Sequence, residues 1–161
     1  MRFFHPDTDL DALAALVALC HPTRRSRGPL WWQIMPTIVV DRDGGEGLVG
    51  YAQYSFGEST LFLQDLGVHP DTRRAGLGRR LLAEQVMLGQ RLGAARAIGY
   101  APVANTPMRT LLAQSKFTPT DLIQGYYQDT VPVQDGMRYM STPASFEWAA
   151  AEIAVPVEVQ V

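Results

Sequence analysis

A chain of 161 residues, 47% of them apolar, is long enough for one domain with a sizeable core and cramped for two. Its formal net charge of -2 argues against a general nucleic-acid binder, and its lone cysteine, Cys20, excludes an intrachain disulfide and a cysteine-based metal cluster within one chain. No apolar run approaches membrane-spanning length and the first dozen residues carry Asp7, Asp9 and Asp11, so the sequence predicts a soluble cytoplasmic protein with neither membrane nor nucleic-acid partners.

In chain order, Arg2-Phe3-Phe4-His5 predicts a short strand, and Asp7 is the expected cap of a helix whose Leu10, Leu13, Leu16, Val17 and Cys20 share one face. His21-Pro22 ends that helix, and a polar, turn-rich stretch from Thr23 to Pro29 leads to Trp31 and Trp32. Thr37 to Val40 and Leu48 to Tyr54 predict two strands joined by a glycine turn, and a second turn at Phe56-Gly57-Glu58-Ser59 leads into a third segment, Thr60 to Val68, with Gly67 as the expected bulge. From Leu77 a helix places Leu77, Leu81, Leu82, Val86, Leu88 and Leu92 on one half and Arg79, Arg80, Glu84 and Arg91 on the other, which leaves its first-turn arginines free for solvent or ligand; Gly93 stops it.

Ala94 to Val103 follows as a strand, and Asn105-Thr106-Pro107 starts a helix that runs to Ser115. A hairpin is expected from Tyr126 to Met140, turning at Gln134-Asp135-Gly136. Thr142-Pro143 caps a short helix from Ala144 to Ile153, and Val155, Val157, Val159 and Val161 alternate as an edge strand. That strand either completes its own sheet or pairs with a second subunit in a homodimer. The expected organisation is one domain over residues 1–142, with 143–161 as its helix and edge-strand extension.

The most informative stretch is Val68 to Leu82, in which an apolar run breaks at Pro70, passes through Arg73-Arg74-Ala75-Gly76-Leu77-Gly78 and becomes a helix. Two glycines let a ligand approach the backbone, and the N–H groups that open a helix lack partners within it and sit at the positive end of its dipole. The pattern describes an anion site. No Gly-Lys-Ser/Thr is present, which excludes a P-loop, and Leu81 stands where a dinucleotide fingerprint needs its third glycine.

Arg73-x-x-Gly76-x-Gly78, preceded by Val-x-Pro and followed by Leu-Leu, resembles the acyl-CoA pyrophosphate loop of the GNAT acetyltransferase superfamily, and the order of elements over residues 1–142 is similar to the whole fold of that family. The resemblance implies an α/β (α+β) fold: a mixed, mostly antiparallel central sheet flanked by helices and splayed between the fourth and fifth strands. It implies that the pantetheine arm of acetyl-CoA pairs with the backbone of Leu66, Gly67 and Val68. The pyrophosphate would then take N–H groups from Arg74, Ala75, Gly76, Leu77, Gly78 and Arg79, with Arg73 and Asn105 also at the donor site. The implied activity is direct transfer of an acetyl group to a primary amine of a small molecule or exposed peptide, without a metal. The alternatives are a CoA-binding module with little transferase activity and a protein N-terminal or lysine acetyltransferase.

The catalytic groups depart from the family pattern. The tyrosine that many relatives use as acid falls at Leu112, the glycine before Phe117 is replaced by Lys116, and the strand positions of the base are Phe62 and Gln64. The remaining candidates are Asp65, which turns inward only if a bulge near Gly67 shifts the pleat, Glu58 in the turn bordering the acceptor cleft, and Tyr126, next to Tyr127 on the late strand. His69, beside the anion loop, is read as a positioning or simply exposed residue ahead of a catalytic one, and His5 and His21 do not suggest a metal site. Arg24, Arg25, Arg27, Trp31 and Trp32 lie where the family builds part of its acceptor site.

Overall fold

Alternating apolar residues in consecutive short segments, separated by glycine turns, form a sheet whose two faces are covered by different helices. The computed structural model describes residues 1–25 and 35–155, so the expectations for Arg27, Trp31, Trp32 and the valine alternation beyond Val155 lie outside the described residues. The strands are β1 (Arg2–Phe3), β2 (Thr37–Asp41), β3 (Leu48–Gly57), β4 (Thr60–Val68), β5 (Arg96–Pro102), β6 (Thr118–Tyr127) and β7 (Gln134–Met140), and their order across the sheet is β1-β2-β3-β4-β5-β7-β6. Among the described residues only β4 and β5 pair in parallel, from Thr60 opposite Arg96 to Leu63 opposite Gly99, and beyond that point the two strands part. This is the mixed, mostly antiparallel sheet expected from the sequence, with its splay in the expected place.

The helices are α1 (Pro6–Cys20), α2 (Leu77–Arg91), α3 (Thr106–Gln114) and α4 (Pro143–Ala154). On one face Leu13, Leu16 and Val17 of α1 pack with Val39, Leu48 and Tyr51; on the other, Leu81, Leu82 and Val86 of α2 pack with Ile38, Ala52 and Leu61. Neighbours Ile38 and Val39 thus serve opposite cores, as a pleated strand requires. Each fully buried aliphatic side chain contributes about 1.5–3 kcal/mol relative to exposure.

Three local expectations are corrected. The N-cap of α1 is His5, with Pro6 at the first helical position, and Asp7 does not cap it. Asp9 takes that work: its carboxylate accepts from the His5 N–H at 2.7 Å and grips Arg2 at 2.6 and 2.9 Å, while Arg2 also reaches Asp41 at 2.8 Å. The late hairpin begins at Thr118, and Gln134-Asp135-Gly136 belongs to β7 rather than to a turn. β6 lies at the sheet edge and is mostly exposed, so it carries no apolar alternation and tolerates Pro119.

The third correction concerns the bulge. Gln53 pairs with Asp65 and Tyr54 with Leu63, so the extra residue is Gln64, while Gly67 stands in regular register with Tyr51. Gly67 is required by close approach instead: a Cβ there would lie 2.3 Å from Tyr51 Cε1 and 3.0 Å from Cys20 Sγ. Replacing Gly67 with valine is expected to destabilise the fold by at least about 1–3 kcal/mol through overpacking. The midpoint of urea unfolding measures this, and an unchanged midpoint would contradict the packing described.

Candidate functional site

β4 leads through a short 3-10 turn, Pro70–Thr72, into α2, and the backbone between them is shaped to expose N–H groups. Arg74 and Gly76 both take left-handed conformations, at φ 65° and 81°, and Gly76 is the N-cap of α2. Glycine adopts that geometry at no steric cost, whereas the arginine carries strain. Alternating left- and right-handed residues turn successive N–H groups toward one concavity. Among the described residues no backbone carbonyl accepts from Arg74 through Arg79; Arg80 is the first to be satisfied, by Gly76 O at 3.1 Å. A Cβ on Gly78 would meet only Leu111 and Val68, both at 3.8 Å, so the fold itself has room for a side chain there. His69 stiffens the turn by accepting from the Asp71 N–H at 3.3 Å.

The arginines after the loop are not free, contrary to expectation. Arg79 is paired with Glu152 of α4 at 2.9 Å and lies over the Trp148 ring at 5.7 Å. Arg80 donates to Glu84 at 3.1 Å and to the carbonyls of Glu152, Ile153 and Val155 at the end of α4, where a cation meets the negative pole of the helix. The amphipathic wheel located their face correctly, but α4 packs beside it. Arg73 lies back on β4, its Nε donating to Val68 O at 3.0 Å.

The register also decides which part of β4 borders the split. His69 N–H donates to Val49 O at 2.8 Å, so the Gly67 and Tyr51 pair is hydrogen-bonded and the backbone polar groups of Leu66 and Val68 point away from β3, to the edge β5 has left. On that edge Val68 O is taken by Arg73 Nε and by the Cys20 thiol at 3.4 Å, and Leu66 N–H by Asp65 Oδ1 at 3.0 Å.

Through the bulge at Gln64, Asp65 joins Tyr51 and Gly67 on the α1 side of the sheet. There it is buried, with side-chain exposure of 5%. Arg24 Nη1 donates to it at 2.6 Å and the Tyr51 hydroxyl at 2.9 Å, and His21 Nε2 lies 3.3 Å from Oδ1 and 2.9 Å from the Tyr51 oxygen. Burial alone would push this carboxyl up, but the hydrogen bonds and charges of His21 and Arg24 outweigh it and hold Asp65 well below the usual carboxylate range. Burial pushes the Tyr51 hydroxyl well up, so it remains a donor.

A cavity of about 510 Å³ opens over the β4–β5 junction, lined by Phe62, Leu63, Gln64, Ile98, Tyr100, Tyr126, Tyr127, Gln128 and Asp129. Arg24 connects it to the buried carboxylate, with Nε 3.9 Å from Asp129. Tyr126 stacks on Tyr100 at 4.5 Å and meets Tyr127 edge-on at 5.0 Å. Adjacent strand residues would normally face apart; the register shift between Ile123 and Tyr127, with Gly125 at φ 62°, brings both tyrosines to the cavity. Burial raises the Tyr127 hydroxyl, which stays neutral.

Other sequence candidates fall elsewhere. Leu112 is fully buried in the α2-side core. Asn105 caps α3 through Oδ1, which accepts from Met108 N–H at 3.1 Å. Glu58 is exposed in the left-handed turn at the paired end of β4 and does not line the cavity. Tyr51 and Tyr100 stand in the sequence as ordinary strand aromatics and Asp129 as a turn acid, with no motif around them to mark a site. Arg24 was expected in the segment where the family builds part of its acceptor site, and it does reach the cavity wall, whereas His21 was expected only to end α1 and suggested no ligand role.

Fold and site together define an α+β protein whose sheet splits beside an N–H-lined loop on the α2 side and an aromatic cavity on the α1 side. The model of the acetyltransferase (GNAT) family matches residues 10–115, and the chain belongs to that family. Among solved structures it is similar to the ribosomal-protein-S18-alanine N-acetyltransferase from Escherichia coli, at 19% identity and a TM-score of 0.71 over 83% of this chain and 87% of that one. It is likewise similar to yncA from Salmonella typhimurium, solved with its cofactor acetyl-CoA, at 21% identity and a TM-score of 0.67 over 86% and 90%. Chaetomium thermophilum Naa20, solved with a bisubstrate analogue, aligns at 14% identity and a TM-score of 0.73 over 98% and 92%. No curated protein matches by sequence. Among the described residues no helix is long and apolar enough to cross a membrane.

Replacing Arg24 with methionine leaves Asp65 buried without its closest cation, and the expected loss is about 3–5 kcal/mol at pH 7. A carboxylate whose folded-state pKa is depressed stabilises the fold above the unfolded value of about 3.9 and stops doing so as pH falls through the folded value. The Arg2 guanidinium holds Asp9 at about 2, so its contribution is lost as pH falls toward that value, and that of Asp65 lower still. Urea unfolding between pH 7 and pH 2 is expected to show a declining midpoint below pH 4; a flat profile would contradict both assignments.

Proposed function

We propose that the protein is an acetyl-CoA-dependent N-acetyltransferase that moves the acetyl group to a primary amine by direct attack. The observation that carries this reading is the row of N–H groups from Arg74 to Arg79 at the start of α2, unpaired among the described residues, beside an edge of β4 that β5 has left. A diphosphate fits such a cradle through oriented N–H donors and the helix dipole, without a metal. The side chain of Arg73 borders the same loop, while Arg79 contributes its backbone N–H and commits its guanidinium to Glu152. Asn105 reaches a donor through its amide nitrogen, because its oxygen caps α3.

Acetyl-CoA supplies a thioester carbonyl. In the transfer a bond forms between the acceptor nitrogen and that carbonyl carbon, the carbon–sulfur bond breaks, and the proton lost by nitrogen balances the thiol released. With Val68 O and Leu66 N–H taken within the protein, the β4 edge offers the donor arm the Leu66 carbonyl and the Val68 N–H, and the latter is the edge donor suited to charge developing on the carbonyl oxygen. Holding both reactants on one split sheet supplies orientation, the effect best able to accelerate a reaction between two bound partners.

The three catalytic candidates take different parts. Asp65 is held ionised by Arg24, Tyr51 and His21, so it acts as a positioning residue that fixes Arg24 at the cavity wall and does not collect a proton. Tyr126, in the cavity wall, is the candidate for contact with the reacting groups. Glu58, at the far end of β4, remains a candidate only for the outer acceptor rim.

Gly78→Ala provides a test that spares the fold, since the added methyl meets only ordinary contacts at 3.8 Å. It is expected to weaken acetyl-CoA binding at least tenfold, roughly the loss of one charge-assisted hydrogen bond, by calorimetric titration with an unchanged unfolding midpoint. Thiol release over a panel of amines then tests transfer. Unchanged affinity in Gly78→Ala would sink the donor site, and tight donor binding without turnover on any amine would favour a CoA-binding module.

A further inference from the structure

We propose that His21 is the proton acceptor for the attacking amine, its imidazole oriented for that work by Tyr51 and Asp65. This rests on the acetyl-transfer reading above and names the base that reading leaves open. A primary alkylamine with a pKa about that of lysine, 10.4, is neutral in only about one molecule in a few thousand at pH 7, so a proton has to leave before the nitrogen attacks. Four polar side chains meet on the α1 side of β4, and three of them have fixed protonation. Asp65 is held ionised, burial keeps the proton on Tyr51, and Arg24 stays a cation. The fourth is His21, and imidazole is the side chain whose charge ordinarily changes near neutral pH.

The hydrogen bonds fix its tautomer. An ionised Asp65 only accepts, so the Tyr51 hydroxyl commits its proton to Asp65 Oδ2 at 2.9 Å, and its oxygen is left to accept from His21 Nε2–H at 2.9 Å. Asp65 Oδ1, 3.3 Å from the same nitrogen, is a second acceptor. Nε2 therefore carries the ring proton and Nδ1 the lone pair, and among the described residues nothing bonds to Nδ1.

Placement brings the ring to the reaction. Asp65 Oδ1 also accepts from Leu66 N–H at 3.0 Å, and the thiol of Cys20, the residue before His21, donates to Val68 O at 3.4 Å. The end of α1 is thereby held against the β4 edge assigned to the thioester. The His21 side chain is 22% exposed, against 5% for Asp65 and 11% for Arg24, so it is the member of the group that an incoming amine or a bridging water reaches. The ammonium gives one proton to Nδ1 before attack, and the imidazolium, facing Asp65, returns it to solvent. The second proton leaves the nitrogen as the carbon–sulfur bond breaks and goes to the sulfur.

The test follows thiol release from acetyl-CoA by the full chain with 1-aminobutane, 1,4-diaminobutane, 2-phenylethylamine and glycinamide, and compares His21→Gln and His21→Ala on the amine used best. Glutamine keeps an N–H donor for Tyr51 and Asp65 but has no basic nitrogen. Both variants are expected to lower kcat at pH 7 about a hundredfold or more, with KM for acetyl-CoA within about twofold and the unfolding midpoint of His21→Gln unchanged. The deficit should shrink from pH 7 to pH 8.5, as more free amine is already neutral. Over that range the groups facing the ring keep their charge, since burial raises Tyr51 and Cys20 while Asp65 and Arg24 stay ionised. Wild-type kcat in His21→Gln, or a deficit constant with pH, overturns the proposal and leaves transfer standing. Nitrogen-15 NMR at pH 8, with His21 assigned through its variant, reads the tautomer without turnover: a proton on Nε2 is expected, and one on Nδ1 overturns the assignment. If none of the amines reacts, the transfer reading fails and the role of His21 falls with it.

Discussion

One extra residue in β4 governs the arrangement. Gln64 shifts the pleat, so that Leu61 and Leu63 face α2 while Asp65, two residues beyond Leu63, faces α1. Without that shift a carboxylate would enter the core beneath α2, among the apolar side chains of Ala52, Leu81 and Leu82, and the cost would be several kcal/mol. At the same place Gln85 of α2 donates to the Gln53 carbonyl at 2.9 Å. The bulge is thus held from both faces, by a helix amide on one side and by Arg24, Tyr51 and His21 on the other.

Its position coincides with the end of β4–β5 pairing, at Leu63 and Gly99. A bulge increases local twist, and a strand that twists away from its neighbour exposes an edge. That edge carries the backbone groups of Leu66 and Val68 toward the loop before α2, while Phe62, before the bulge, looks into the aromatic cavity. One irregularity therefore serves both halves of a two-substrate site.

Much of this was legible in the sequence. Turn glycines, apolar alternation and helical periodicity located β2, β3, β4, α1 and α2, because those elements bury one face and their patterns record it. Arg73-x-x-Gly76-x-Gly78 was legible because left-handed backbone leaves a compositional trace at Gly76. The missed elements lack such a trace. β6 is exposed on the sheet edge, so nothing in Thr118 to Gln124 alternates. The bulge sits at Gln64 rather than at Gly67, since a bulge needs no particular side chain, whereas Gly67 answers to the Tyr51 ring. The fate of Arg79 and Arg80 depended on where α4 docks, a relation between segments more than 70 residues apart that no local pattern encodes.

The placement of β7 between β5 and β6 has a consequence for the order in which the two substrate regions become organised. The N–H-lined loop needs only β4, the turn after it and the first turn of α2, which are contiguous in sequence. The aromatic cavity needs Tyr126, Tyr127 and Asp129, which reach β4 and β5 only after β7, later in the chain, has paired with β5 and brought its hairpin partner with it. Contacts at large sequence separation form late because loop closure must precede them. In a chain emerging from the ribosome, the region assigned to the donor is complete in sequence while that assigned to the acceptor still awaits its last strand.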